Sequence, residues 1–324
     1  REGGVKCLGL CCLLDDMLAT EQLAFFGICC AKGNGDLHSL CLKIIFDILS
    51  VHGPKVLDVE GCVDSLSMHK LLFRSLKKYE IPVVQAITAE GLCKLYLNDV
   101  FNDEELFETL LLAYFHPQNS TNEDLIQALS FCLPVYAFSH PRHQEKVAKV
   151  AADSFSRLFK TFEELQEAED SAGLSMTSPS VIIQQLIHWT DSYNIVNCSD
   201  ATKELLKYHL IFVMDLLDTM LKSDNKLYCK TVAMNLSKFI ISETLTKEDL
   251  DNLYDKAVQA KDEVETNVEG IDKASINALN KFISSIAEVL AIIEEIEKDK
   301  PKENNEEFVK ALTEPSEEEK KQDK

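Results

Sequence analysis

Apolar residues recur along this chain at the spacing of amphipathic α-helices. Clear examples are Leu40, Ile44, Ile45, Ile48 and Leu49, then Leu92, Leu95 and Tyr96, then Leu125, Leu129 and Leu133. Each segment has one apolar face that it cannot bury alone. Helices stacked in pairs bury such faces in a continuous inner layer. The pattern therefore predicts an all-α fold of the α-solenoid type.

The pattern and its Gly, Pro and capping residues predict helices over 5–14, 20–30, 36–51, 64–79, 82–98, 103–115, 122–139, 142–167, 179–192, 200–222, 226–242, 247–264 and 272–298. Ser199 or Asp200 is expected to cap the helix over 200–222, which carries Leu205 and Leu206. The second helix of each proposed pair begins near 36, 82, 122, 179, 226 or 272. This spacing of roughly 40 to 57 residues overlaps the period of HEAT and armadillo repeats. The alternative, a globular bundle, would use fewer and longer helices.

The predicted domain organisation is one array with a charged tail. Residues 1–298 form a HEAT-repeat solenoid, with a flexible loop near 165–180, and residues 299–324 form a disordered tail. Ser178-Pro179 fits a proline-directed phosphorylation site, although a simple helix start explains it better. Because the chain lacks an initial Met and opens on a helical pattern at Val5, we expect it to be part of a longer protein.

Composition narrows the class of protein. The chain has 324 residues, with only 11 Gly and 8 Pro, which suits long helices with short connections. Charges interrupt the longest apolar runs before they reach the length of a membrane span, so no transmembrane helix is expected, and no signal peptide is expected in the first residues. Eight of the cysteines are expected to act as small buried apolar residues in a reducing compartment: Cys7, Cys11, Cys12, Cys29, Cys30, Cys41, Cys93 and Cys132.

A net charge of −21 argues against general affinity for nucleic acids. Basic residues nevertheless cluster locally. At about 100° per residue, one stripe of the helix over 142–167 holds Arg142, Lys146, Lys149, Arg157 and Lys160. Further groups are Lys70, Arg74, Lys77 and Lys78 on the helix over 64–79, and Lys222, Lys226 and Lys230 near a turn. Each of these three basic groups, taken alone, is explained as solvated surface. Taken together, the three groups are candidate contacts for a phosphate backbone.

Nothing in the sequence points to catalysis. Gly33-Asn34-Gly35 lacks the strand and the Lys-Ser/Thr pair of a phosphate loop. His140 and His143 flank a helix start, and no motif places a Ser or Cys nucleophile beside them. Without Cys-x-x-Cys or a His pair at zinc spacing, no metal and no cofactor are expected. We therefore predict no catalytic residues and no small-molecule substrate.

Three segments resemble a known family. Residues 89–97 (AEGLCKLYL), 110–117 (LLLAYFHP) and 125–137 (LIQALSFCLPVYA) resemble consecutive helices of the CAP-G family, the HEAT-repeat non-SMC subunits of condensin, and residues 6–14 resemble the opening of its C-terminal region. The family's Phe-x-Pro-x-Tyr pattern stands here as Cys132-Leu133-Pro134-Val135-Tyr136. The resemblance is specific over residues 5–160 and weak beyond them. The more divergent sequence of this chain resembles that of a fungal-type member of the family.

The resemblance implies a non-catalytic HEAT solenoid that grips the kleisin subunit of condensin. Through the kleisin it would join the SMC ATPase subunits and hold double-stranded DNA without sequence preference. The resemblance also implies that the protein is located in the nucleus and cytoplasm and that it associates with chromosomes in mitosis. Charge reversal at Lys146, Lys149 and Arg157 is then expected to weaken DNA binding. An importin-like adaptor for basic cargo is the second hypothesis, favoured by the acidity, and an enzyme with a hidden pocket is the third.

Overall fold

The structure is a computed structural model that describes residues 2–168, 174–196 and 198–299, with side chains described as far as residue 295. Within these residues there are α-helices and short 3₁₀ turns, and no strand. The helices are α1 (Glu2–Cys12), α2 (Asp16–Lys32), α3 (Gly35–His52), α4 (Ser65–Leu76), α5 (Pro82–Leu97), α6 (Glu104–Phe115), α7 (Glu123–Ser139), α8 (Pro141–Glu167), α9 (Pro179–Trp189), α10 (Asp200–Glu204), α11 (Tyr208–Leu221), α12 (Lys226–Asn235), α13 (Lys247–Asn267) and α14 (Lys273–Asp299).

The helices form two layers. Each helix packs on its neighbour in the same layer and on its pair-mate in the other. Layer A holds α2, α4, α6, α8, α11 and α13, and layer B holds α1, α3, α5, α7, α9, α12 and α14. Pairs of this kind, repeated along one axis, form a HEAT-repeat solenoid. The layer-B helices α3, α5, α7, α9, α12 and α14 begin within two residues of the starts predicted for the second helices.

Contacts between successive repeats link residues about one repeat apart in the sequence. Lys230 of α12 pairs with Asp272, just before α14, at 2.6 Å, whereas Lys55 and Asp16 pair within the α2–α3 repeat. The side-chain amide of Asn122 donates to the carbonyl oxygen of Pro82 at 3.0 Å. Buried apolar side chains form one almost continuous core from Cys12 to Ile293. The apolar core between layers A and B therefore runs through the described array from end to end.

The predicted helix over 200–222 is wrong in one respect. It is interrupted at Leu205–Lys207, so that α10 is a single short turn capped by Ser199 and α11 begins at Tyr208. Leu205 is 67% exposed, because the interruption removes it from the apolar face. The helix predicted over 226–242 likewise ends at Asn235 and continues as a 3₁₀ turn. Most of the predicted loop near 165–180 and the tail at 299–324 lie outside the described residues.

Two further expectations need correction. Cys7 and Cys11 are exposed, because they lie on a solvent-facing side of α1, and Cys29 and Cys132 are only half-buried.

The second correction concerns membrane spans. Residues Lys273–Glu295 of α14 are long and apolar enough to cross a bilayer by length and composition, with 22% of the window buried. Leu279, Phe282 and Ile286 of α14 are buried in the core. Packing of α14 on α12 and α13 accounts for the buried part of the window.

Candidate binding surfaces

Successive layer-B helices each expose large apolar side chains. Among the described residues, every layer-B helix from α3 to α14 contributes at least one: Val51, Val83, Phe131, Val135, Val181, Leu227, Met234 and Ile292. We call this set the layer-B row. In layer A, exposed large apolar side chains occur only on α2 and α4 among the described helices. A contiguous exposed apolar patch marks a surface for contact with a partner, and within the layer-B row Val83 and Phe131 line one shared groove.

The layer-B row has its deepest point between α5 and α7. A groove of about 680 Å³ lies there, lined by side chains that include Val83, Ile87 and Phe131. Phe131 is 69% exposed, although an aromatic ring gains free energy from burial. Glu90 and Lys94 pair at 2.6 Å on the rim. The groove can accept one or two large apolar side chains of a ligand.

Two cysteines meet at the floor of this groove. The thiol of Cys93 on α5 donates to the sulfur of Cys132 on α7, which lowers the pKa of Cys132 and, with burial, raises the pKa of Cys93. Cys132 lines the groove, whereas Cys93 is buried. The sequence identified both residues as core positions but did not show that they are neighbours.

The basic stripe predicted on α8 is largely neutralised. Its five members do share α8, but Arg142 pairs with Asp99, Lys149 with Glu145 at 2.8 Å and Arg157 with Glu108 at 2.8 Å. Lys160 remains 78% exposed, with Glu164 at 4.0 Å. The neutralising carboxylates come partly from α6, whose acidic first turn faces α8.

Lys146 is not available to a ligand. It is 6% exposed, and its Nζ donates to the carbonyl oxygen of Asn102 at 2.6 Å and to the Asn102 side chain. Burial lowers the pKa of Lys146, against the opposing effect of nearby acidic groups. The structure therefore gives no support to a contact of Lys146 with DNA phosphates, since its ammonium group is buried and hydrogen-bonded.

The other predicted cations are more accessible. On α4, Lys70, Arg74 and Lys77 are exposed and have no carboxylate within 4.0 Å among the described residues, while the Nζ of Lys77 lies 4.1 Å from the ring centre of Phe73. Lys78 is half-buried, with its Nζ 3.4 Å from Nδ1 of His38. Lys222 and Lys226 are exposed at the turn between α11 and α12, whereas Lys230 is paired with Asp272.

The structure also places a serine beside a histidine, which no motif indicated. The Oγ of Ser139 lies 2.8 Å from Nδ1 of His143, and Nε2 of His143 lies 2.9 Å from the Asp99 carboxylate. In a catalytic triad the serine contacts Nε2 and the carboxylate contacts Nδ1, so this arrangement is reversed. His143 is 4% exposed and stacks on Tyr136 at 4.3 Å. These contacts tie α8 to the end of α5.

Within the described ranges, no group of three or more His, Cys, Asp or Glu side chains could hold a metal ion. A small cavity beside Asp191, Lys203 and His209 has room for about one water molecule at about 30 Å³. His209 donates from Nε2 to the carbonyl oxygen of Ile187 and accepts at Nδ1 from the Ile240 amide. Its ring nitrogens are therefore both used within the fold.

Comparison with known proteins agrees with this architecture. The crystal structure of the S. pombe condensin Cnd3–Cnd2 subcomplex aligns with a TM-score of 0.76 at 25% identity, over 90% of this chain and 37% of that chain. Condensin complex subunit 3 of Saccharomyces cerevisiae is 41% identical over 94% of this chain and 29% of its own length. Its namesake in Schizosaccharomyces pombe is 28% identical over 95% of this chain and 34% of its own length.

Paired helices in two layers, with apolar residues exposed along one layer, define a HEAT-repeat solenoid, a class of protein that presents long surfaces to its partners. Residues 1–241 match the model of the family "Nuclear condensing complex subunits, C-term domain". The chain belongs to this family. The resemblance seen in the sequence is confirmed at this level, and the match extends well beyond residue 160. The relatives span far more residues than this chain, which covers about a third of each.

Proposed function

We propose that this chain is the part of a condensin HEAT subunit that binds a segment of the kleisin subunit along layer B. The observation that carries the proposal is the layer-B row. It offers an apolar contact on each successive helix, which suits an extended chain crossing the array. Cnd2 is the partner named in the related crystal structure, and we transfer that type of partner to this chain. The family match favours this function over an importin-like adaptor.

The groove between α5 and α7 is the proposed anchor point. A large apolar side chain of the kleisin segment would cover Phe131 and Val83 there, and such buried central contacts dominate binding energy. The Glu90–Lys94 pair on the rim would stay in water, where an ion pair contributes little. We propose a non-catalytic role, in which the SMC ATPase subunits are reached through the kleisin.

Calorimetric titration of this chain with the kleisin segment of its own condensin tests the proposal. Phe131→Asp is expected to weaken binding at least about tenfold, because it places a charge where an apolar side chain should bind. The mutated ring is exposed, so the fold should persist. Leu66→Asp, at an exposed apolar position on layer A, is the matched control and should leave affinity unchanged. Equal affinity for Phe131→Asp and the wild type would contradict the proposal.

We further propose that double-stranded DNA contacts the edge where layer-A helices turn into layer-B helices. Cations stand at or near this edge in three of the pairs: Lys77 and Lys78 after α4, Lys160 in the last third of α8, and Lys222 and Lys226 around the turn after α11. They are separated along the array, as contacts to a phosphate backbone are. They belong to no base-reading motif, so sequence preference is not expected. Chromosomal localisation in mitosis would follow from this contact, with the protein otherwise in nucleus and cytoplasm.

The DNA proposal is tested by the salt dependence of binding to a duplex in the presence of the kleisin segment. Replacing Lys77, Lys222 and Lys226 by alanine is expected to reduce the slope of log affinity against log salt by about one for each phosphate that is no longer neutralised. Lys149→Ala and Arg157→Ala serve as controls, because those cations are already paired. A slope that does not change in the triple variant would exclude this edge.

A further inference from the structure

A groove in layer A, between α2 and α4, is separate from the surfaces proposed for kleisin and DNA. Its lining includes Ala24, Gly27 and Ala31 of α2 and Leu71 of α4, and its volume is about 330 Å³. The two helices pack together only lightly, because an irregular segment of residues 57–64 separates α3 from α4. A cavity of this size is in the range of ligand-binding sites.

The lining of this groove includes an exposed apolar side chain, Ile28, which is 55% exposed. The same two helices also expose Phe25 on α2 and Leu66 on α4, outside the groove. The described layer-A helices α6, α8, α11 and α13 expose no large apolar side chain. Solvent exposure of these three residues is therefore a local property of the α2–α4 region rather than of the layer.

The charged residues of the groove have one sign. Lys70 and Arg74 are its only charged lining residues, and neither has a carboxylate within 4.0 Å in the described parts of the chain. The whole chain carries 54 acidic and 33 basic residues. On such a chain, a groove that combines apolar walls with two cations and no acid is complementary to an acidic ligand.

We propose that the α2–α4 groove binds a short acidic amphipathic helix from a partner protein. Its apolar side chains, spaced at i and i+4, would cover Ile28 and Gly27, as in helix-in-groove recognition. Its Asp or Glu side chains would pair with Lys70 and Arg74. Duplex DNA fits this groove less well, because a phosphate backbone has no apolar group to cover Ile28. This use of Lys70 and Arg74 differs from the DNA contact that their sequence pattern suggests.

A randomised peptide library displayed on phage tests the proposal, with the 324-residue chain as bait and the double variant Lys70→Glu, Arg74→Glu for counter-selection. Peptides retained by the wild type should be rich in Asp and Glu and carry large apolar residues at i and i+4. No enrichment over the counter-selected pool, or enrichment of peptides without acidic residues, would overturn the proposal.

One enriched peptide is then measured by fluorescence anisotropy. Its affinity should fall at least about tenfold in Lys70→Glu, Arg74→Glu and in Gly27→Leu, which fills the groove. Near Gly27 the closest atom to an added Cβ is Leu71 Cδ2 at 3.8 Å, so the helix should tolerate the change, as circular dichroism would verify. Lys222→Glu, Lys226→Glu is the matched control and should bind normally. Loss of duplex DNA binding in the groove variants, with unchanged peptide affinity, would assign the cations to DNA instead.

Discussion

At the scale of single residues, neighbours from distant repeats decide what a side chain can do. Helical geometry places Lys146, Lys149 and Arg142 on one stripe, and α8 confirms that they share it. Lys149 pairs with Glu145 of the same helix, but whether Arg142 and Lys146 are free depends on the turn after α5, about one repeat earlier in the sequence. That turn supplies Asp99 to Arg142 and Asn102 to Lys146. The pattern within one helix contains no information about such partners.

Lys146 is accordingly predicted to stabilise the fold. Lys146→Met keeps the apolar stem but removes the hydrogen bonds to Asn102, and it should lower the free energy of unfolding by about 1–3 kcal/mol. Lys160→Met, at an exposed position of the same helix, should change it by less than about 0.5 kcal/mol. Urea denaturation followed by circular dichroism measures both. A Lys146→Met protein that is as stable as the wild type but binds DNA less tightly would show that Lys146 contacts DNA, as the sequence pattern predicts.

His209 gives the fold a dependence on pH. Burial lowers the pKa of His209, against the smaller opposing effects of Ile187 and Asp191. The neutral ring is required because Nδ1 accepts from the Ile240 amide. The unfolded chain therefore binds the extra proton first, and stability is lost as pH falls below about 6.5.

We predict that the free energy of unfolding decreases between pH 7 and pH 5, with His209 contributing a limiting slope of at most about 1.4 kcal/mol per pH unit. His209→Gln should be less stable at pH 7 but show a shallower pH dependence, measured by urea denaturation across this range. His38, His116 and His143, whose pKa values burial also lowers, remain in this variant and keep part of the slope. An unaltered pH profile in His209→Gln would show that its protonation is not linked to folding.

At the scale of helices, periodicity predicted most elements to within a few residues. The exceptions occur where tertiary contacts oppose the pattern. Leu205 and Leu206 continue the apolar periodicity of α11, yet the chain turns there, so that Lys207 pairs with Asp249 and His209 reaches Ile187. Propensity summed along a segment cannot detect such a break, because the competing interactions come from other repeats.

The tight packing of α3 on α5 provides a test at this scale. A Cβ added at Gly91 would lie 2.3 Å from the nearest ring atom of Phe46. Gly91→Ala should therefore destabilise the protein by about 1–3 kcal/mol, despite the gain of about 1 kcal/mol that alanine normally brings to a helix. Gly4→Ala in α1, with no heavy atom within 4 Å of the added Cβ, is the control. A melting temperature of Gly91→Ala equal to or higher than that of the wild type would show that α3 and α5 can move apart.

At the scale of the whole molecule, the sequence predicted the class of fold and the pairing of helices, but not the binding surfaces. The starts of the second helices correctly identify layer B. The layer-B row could not be recognised in advance, because Phe131 and Val135 belong to the same apolar run of α7 as the buried Leu129 and Leu133. Only the packing of α5 beside α7 shows which of them stay exposed.

The net charge likewise did not predict which basic residues remain available to a partner. The overall value of −21 conceals two arrangements with opposite consequences. Glu108 of α6 neutralises Arg157 of α8, whereas Lys70 and Arg74 of α4 have no carboxylate within 4.0 Å in the described structure, and Asp64 acts on Lys70 only at longer range. Electrostatic arguments for a solenoid therefore depend on which helices are neighbours across the layer, and this information requires coordinates.

The central claim is that the array grips a kleisin segment along layer B. Hydrogen–deuterium exchange, measured on this chain with and without the kleisin segment, tests it most directly, since protection is read helix by helix. We predict slower exchange on binding in α5, α7, α9 and α12, with α6, α8 and α13 unchanged. Protection confined to layer A, or spread equally over both layers, would contradict the account.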